Sequence, residues 1–114
     1  MKRVMWAAAT GLAAFGMMTL TAVAAPGQCT VTGFETFDCD VALDGGGLTF
    51  ALPDGSVLAF ALTGDAVGAG YLVGADAKPG QPPHALGEFR PVEGEPGCWS
   101  ATRRDFEFCV LVAQ

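Results

Sequence analysis

Basic side chains are scarce in this chain: Lys and Arg total 6, against 12 Asp and Glu. Two of the six, Lys2 and Arg3, stand at the extreme N-terminus. Beyond residue 24 only Lys78, Arg90, Arg103 and Arg104 remain to face all twelve acids, a balance of eight negative charges. Such a chain lacks the charge to grip nucleic acid through its phosphates or to settle on an anionic membrane. Histidine is rarer still, with His84 alone in a proline-rich loop. A general base needs a nucleophile and an orienting group within reach. Ser56 falls in a tight turn and Ser100 on a predicted strand, so neither has a nucleophile's setting. We therefore expect no catalytic residue and no enzyme activity. Close Cys-x-x-Cys pairs are missing too, and with them the usual zinc spacing. Asp38, Asp40 and Asp44 lack the further ligands and terminal Glu of a calcium loop. No metal or cofactor is expected. Finally, no stretch of about ten residues beyond residue 24 repeats its apolar positions at helical spacing.

What is present begins with an export signal. Lys2 and Arg3 precede an uncharged run, Val4 to Val23, rich in Ala, Leu and Met. Ala22-Val23-Ala24 has the small-x-small form of a cleavage site. This pattern assigns residues 1–24 to a signal peptide and residues 25–114 to a single small exported domain, periplasmic or extracellular. The competing reading is an uncleaved anchor. The run is nearly long enough to span a bilayer, but its Ala, Gly and Thr content is weakly apolar.

The clearest structural signal is Leu48 to Leu62, LTFALPDGSVLAFAL, which reads as a β-hairpin. Pro53 presets φ at the first central position of a type I turn, Asp54 suits the second, and Gly55 can take the positive φ of a G1 bulge. A three-residue loop sets Leu52 opposite Ser56, Phe50 opposite Leu58 and Leu48 opposite Phe60. All the bulky residues then share one face. The small, uncharged second face is expected to be covered as well. Phe37 to Leu43 alternates as a half-buried strand with Asp38 and Asp40 outward. Cys29 to Thr32 is a short strand candidate, and Tyr71-Leu72-Val73 a weak one. Leu86 to Val92 reads as an edge strand because Pro91 lacks a donor. Cys98–Thr102 and Phe106–Ala113 form a last pair, with both faces of the final strand at least partly buried. The fold class is therefore all-β, a small antiparallel meander closed as a barrel or stacked as a sandwich.

Cys29, Cys39, Cys98 and Cys109 make an even set in a short exported chain, which reads as two disulfides. Three connectivities are open. Local pairing, Cys29 with Cys39 and Cys98 with Cys109, would staple two hairpins and is preferred; crossed pairing would tie the first strands to the last.

Candidate binding residues are few. Trp99, beside Cys98, could stack on a ligand or plug the core. Arg103 and Arg104 form the one basic spot and could grip a carboxylate or phosphate, or simply balance Asp105 and Glu107. Gly68 and Tyr71 stand in a neighbourhood with a precedent. The order LPDG turn, apolar strand, Gly-rich segment and Gly-x-x-Tyr resembles the periplasmic C-type lysozyme inhibitor family. The resemblance covers Phe37 to Tyr71 and Cys109. It implies a small eight-stranded barrel, with Cys39 and Cys109 near each other. It also implies a Ser-Gly-x-x-Tyr loop and a later lysine loop that enter the lysozyme cleft. Here Gly68 and Tyr71 match that loop and Val67 stands in place of its serine. After Tyr71 the only lysine is Lys78, in the proline loop.

These observations lead to an exported, acidic, non-enzymatic β-domain that acts as a binding or inhibitory module. Its expected partner is a protein with a cationic or lysozyme-like surface. Lysozyme inhibition is the narrower alternative, and a structural role in the envelope is the other.

Overall fold

The Pro53-Asp54-Gly55 turn forms as its chemistry dictates in the computed structural model of the protein, which describes residues 23–113. Gly55 N donates to Leu52 O at 3.0 Å, Leu52 N donates to Ser56 O at 2.8 Å, and Gly55 takes φ +92°. The flanking strands keep the expected register, Leu48 opposite Phe60 and Phe50 opposite Leu58. Eight strands are present among the described residues: β1 (Val23–Val31), β2 (Phe37–Asp44), β3 (Gly47–Ala51), β4 (Val57–Gly64), β5 (Val67–Val73), β6 (His84–Pro91), β7 (Cys98–Ala101) and β8 (Glu107–Val112). Each pairs antiparallel with the next, and β1 pairs with β8 to close a barrel. Closure decides between the two all-β architectures left open by the sequence. It also leaves no unpaired edge.

Alternation along each strand sends one set of side chains inward. Phe50, Leu58, Phe89, Phe108, Val31, Val41 and Cys29 are almost completely buried there. Four phenylalanines meet at the centre: Phe108 lies 5.2 Å from Phe60, 5.4 Å from Phe89 and 6.3 Å from Phe50, centroid to centroid. Asp38, Asp40, Glu88 and Arg90 occupy exposed outward positions. An apolar inside and a charged outside reverse the pattern of a membrane-spanning barrel. Among the described residues, no helix is long and apolar enough to cross a membrane.

Both disulfides are the local ones, Cys29–Cys39 and Cys98–Cys109. The first bridges β1 to β2 inside the barrel, where Cys29 and Cys39 are buried. The second joins directly opposed residues of β7 and β8. Their neighbours Trp99 and Phe108 point inward, so this bridge lies on the outer wall. Cys39 and Cys109 are each committed elsewhere, and the pairing implied by the family resemblance is not formed.

Four expectations need correction. β1 is longer than Cys29 to Thr32; it begins at Val23 and pairs with β2 from Leu43 onward. It therefore runs across the expected cleavage point, while the rest of the predicted signal peptide lies outside the described residues. The second face of the hairpin is not covered: Thr49, Ala51 and Ala61 are exposed, because a single closed sheet has only one inside. For the same reason Leu111, on the outer face of β8, is 60% exposed. Pro91 does not mark an edge. It ends β6 where pairing with β5 has already stopped at Phe89, and it pairs only with Trp99 of β7, so its missing N–H is not required.

Asp54 holds the hairpin turn. Its Oδ1 accepts from Ser56 N at 2.9 Å and from Ser56 Oγ at 2.6 Å. This also satisfies Ser56, the one buried polar side chain among the described residues. Both bonds, the hydroxyl foremost, favour the carboxylate and hold the Asp54 pKa below its ordinary value. A lowered folded pKa adds stability that is complete above the unfolded value and fades as pH falls through the folded one. The stabilisation is thus full above about pH 5 and lost progressively below it. Thermal melts from about pH 6 down to about pH 2 should show a steeper acid loss for the wild-type protein than for Asp54→Asn. Parallel curves would refute the assignment.

Candidate functional site

The two ends of the barrel are finished differently. The loops at residues 32–36, 52–56, 74–83 and 102–106 gather at one end. There Phe34, Phe37, Leu72 and Phe106 pack against the core and Leu52 is buried. Phe34 and Phe37 meet at 6.4 Å, and Phe106 lies edge-on to Phe89 at 6.1 Å. This end is capped.

The opposite end is an open mouth. Inward-facing Leu43, Leu48, Phe60, Leu62 and Trp99, with the turn Asp44-Gly45-Gly46-Gly47, line a cavity of about 260 Å³. Phe60 and Trp99, 4.7 Å apart, make its aromatic floor. Leu43 is 37% and Leu62 50% exposed, although both belong to the inward-facing register. Trp99 also borders a second cleft of about 370 Å³ under the β6–β7 loop, beside Glu95.

Local sequence shapes this mouth. Gly45 and Gly46 take positive φ, +53° and +94°, in the turn between β2 and β3. Leu62 N donates to Gly46 O at 2.9 Å, which fixes the end of β4 against that turn. Across the barrel wall, Gly68 and Gly70 of β5 leave room for rings. A Cβ on Gly68 would sit 2.3 Å from Phe60 Cζ, and one on Gly70 2.6 Å from Phe89 Cε1. The glycines of β5 therefore place Phe60 and, through it, the floor of the mouth.

The candidate residues from the sequence divide among different places. Trp99 is half-buried in the mouth, so the plug and stacking readings apply to one side chain: it packs against Phe60 and also borders two cavities. Gly68 is buried beneath Phe60 within β5 and belongs to no loop. Tyr71 is 39% exposed on the outer wall, opposite Ala59 and Ala85. Arg103 and Arg104 are exposed in the β7–β8 turn at the capped end. The ion pair found among the described residues is instead Arg90 with Glu88, at 2.8 Å on the surface, where such pairs contribute little. His84 is exposed at the start of β6. The mouth leucines Leu43, Leu48 and Leu62 were legible only as core residues, since nothing in a strand pattern marks which end of a barrel stays open.

Two other features compete with the mouth. A groove of about 590 Å³ runs along the outside of β1, between Asp38 and Asp40 of β2 and Leu111 of β8. Its floor includes Gly27, which offers no side chain, and Gln28 Nε2 already donates to Asp38. Cys98, Glu107 and Cys109 are the one set of three metal-ligand types close together among the described residues. Both sulfurs are spent in the disulfide, which removes the thiolates a metal needs. No protein-family model matches the chain, and no curated protein or solved structure matches it either.

Proposed function

We propose that the protein is an exported, non-enzymatic binding module that holds a partner protein at the open mouth of its barrel. The observation that carries this reading is the uncovered apolar surface at one end, Leu43 and Leu62 around Trp99, while the other end is capped. Exposed apolar surface that folding alone would have covered marks a place for contact, and barrel mouths are frequent ligand sites. Two disulfides and the cleavage motif support export to the periplasm or beyond.

The test compares wild-type exported protein with Leu62→Asp, a change at a half-exposed side chain that leaves the core intact. A partner recovered from the exported fraction is purified and titrated against both. The expected affinity loss is roughly tenfold or more, as for truncation of an interface anchor. Equal affinity for the two proteins would contradict the reading, and so would turnover of a substrate without any partner.

Lysozyme inhibition is the second reading, supported by the closed eight-stranded barrel, the architecture expected from the family resemblance. Since Gly68 lies inside the wall, contact with the enzyme would have to come from another surface, and the mouth is the nearest apolar one. Undiminished cell-wall lysis in a large molar excess of the protein would dismiss it.

A further inference from the structure

The mouth is apolar in its floor and acidic in its surroundings, and the second property restricts what can enter it. Asp44 lies in the β2–β3 turn and borders the cavity itself. Glu95 borders the adjoining cleft, with Trp99 common to both. Asp65 stands in the β4–β5 turn and Glu93 in the β6–β7 loop, at the same end of the barrel and exposed. The three loops at this end contain no Lys or Arg. Lys78, Arg103 and Arg104 are all in loops of the capped end. Those bases are nearly balanced by Glu35, Asp54, Asp76 and Asp105 in the same loops, so the uncompensated negative charge lies at the mouth, beside the open apolar cup.

We infer that the occupant of the mouth is a basic peptide segment of a partner protein, with an aliphatic or aromatic side chain as its anchor. The anchor enters the cup over Phe60 and Trp99, where it removes apolar surface from water. Its flanking Lys or Arg residues meet Asp44 on one side and Glu95 on the other. An acidic segment is refused, because the loops at this end carry four carboxylates and no cation, and Arg90, on β6 just before the β6–β7 loop, is already paired with Glu88. The aromatic floor reinforces this preference, since a cation close to the face of Trp99 is attracted to its ring. This inference rests on the mouth being the binding surface and adds the chemistry of what binds.

The test is calorimetric titration of the exported protein with short synthetic peptides. One alternates Lys and Leu, a second replaces each Lys with Glu, and a third replaces each Leu with Ser. The Lys-Leu peptide should bind, and the other two should bind at least about tenfold more weakly. Affinity should fall with added salt, because the rim charges are exposed and screened over about 8 Å at physiological ionic strength. The double variant Asp44→Lys, Glu95→Lys should invert the order, favouring the Glu-Leu peptide. Both side chains are exposed, so the barrel is expected to survive the change, and retained thermal unfolding verifies that. Equal binding of the basic and acidic peptides, or an order unchanged by the rim variant, would overturn the inference. A partner that needs Leu62 while no basic peptide binds would also overturn it, and would leave the mouth intact as the binding surface. A basic peptide that binds equally to the wild-type protein and Leu62→Asp would remove the mouth as well.

Discussion

Phe108→Ala is expected to lower the stability of the protein by about 3–5 kcal/mol, the usual cost of emptying a fully buried phenylalanine site. Phe108 is 0% exposed and sits between Phe50, Phe60 and Phe89. These three phenylalanine rings offer water no hydrogen bond, so the lining of the space left behind loses contacts without replacement. The strand that carries Phe108 pairs with both β1 and β7. A loss there weakens closure of the barrel as well as its centre. Small domains have only about 5–15 kcal/mol in total, so this change takes a large share. Denaturant titration should show a lower midpoint with the same slope. Leu111→Ala, three positions along the same strand but 60% exposed, should change stability by no more than about 0.5 kcal/mol. Similar effects for the two would mean that the interior is not centred on Phe108.

Gly68→Ala is the second large effect, and it adds atoms instead of removing them. The new methyl group would lie 2.3 Å from Phe60 Cζ and 2.9 Å from the carbonyl oxygen of Ala61. The ring cannot retreat freely, because Phe89 and Trp99 stand 5.9 Å and 4.7 Å from it, centroid to centroid. Overpacking of this kind typically costs about 1–3 kcal/mol, and the backbone contact places this site at the upper end. Introducing Phe60→Leu alongside it should return part of the loss, a coupling that a double-mutant cycle reads directly. The carbonyl contact persists, so rescue is incomplete. Gly68→Ala without a stability cost would favour a surface role for Gly68, as the resemblance to the inhibitor family implies. The expected result places its importance inside the wall.

Where sequence reasoning succeeded, the local chemistry was sufficient. The Leu48–Leu62 hairpin was legible down to its register because Pro53, Asp54 and Gly55 admit one loop length and the bulky residues admit one facing. The alternation likewise survived from Phe37 to Val41, while Leu43, in the same inward register, is exposed at the mouth. Recognition of β5 and β6 was harder for definite reasons. In β5 the inward positions Gly68 and Gly70 carry no side chain, so the strand shows no apolar alternation of its own. The apolar atoms at those positions belong to Phe60 and Phe89 from neighbouring strands. In β6 a register shift opposite Gly70 and Tyr71 inserts one residue, and Gly87 takes φ +94°. Leu86 and Phe89 are therefore both buried at a spacing that a period of two cannot produce.

The site was less legible than the fold. Trp99 stood out by its type, but its partners in the mouth come from strands whose arrangement depends on closure. Leu43, Leu48 and Leu62 read as core residues in any local pattern, and Leu48 is half-buried. Only the three-dimensional placement of the Gly45-Gly46-Gly47 turn beside Trp99 leaves Leu43 and Leu62 in contact with solvent. Charge was visible in the composition, whereas its polarity along the barrel axis appears only once alternate loops are assigned to alternate ends.

The proposed role puts the partner at the open mouth. The most direct measurement is a map of backbone amide chemical-shift changes in the protein on titration with the proposed partner, or with the Lys-Leu peptide. The account predicts that the largest changes fall at Leu43 to Leu48, Leu62 to Val67 and Cys98 to Trp99, around the open end. Changes centred on Tyr71, on the groove along β1, or on Arg103 and Arg104 at the capped end would contradict it.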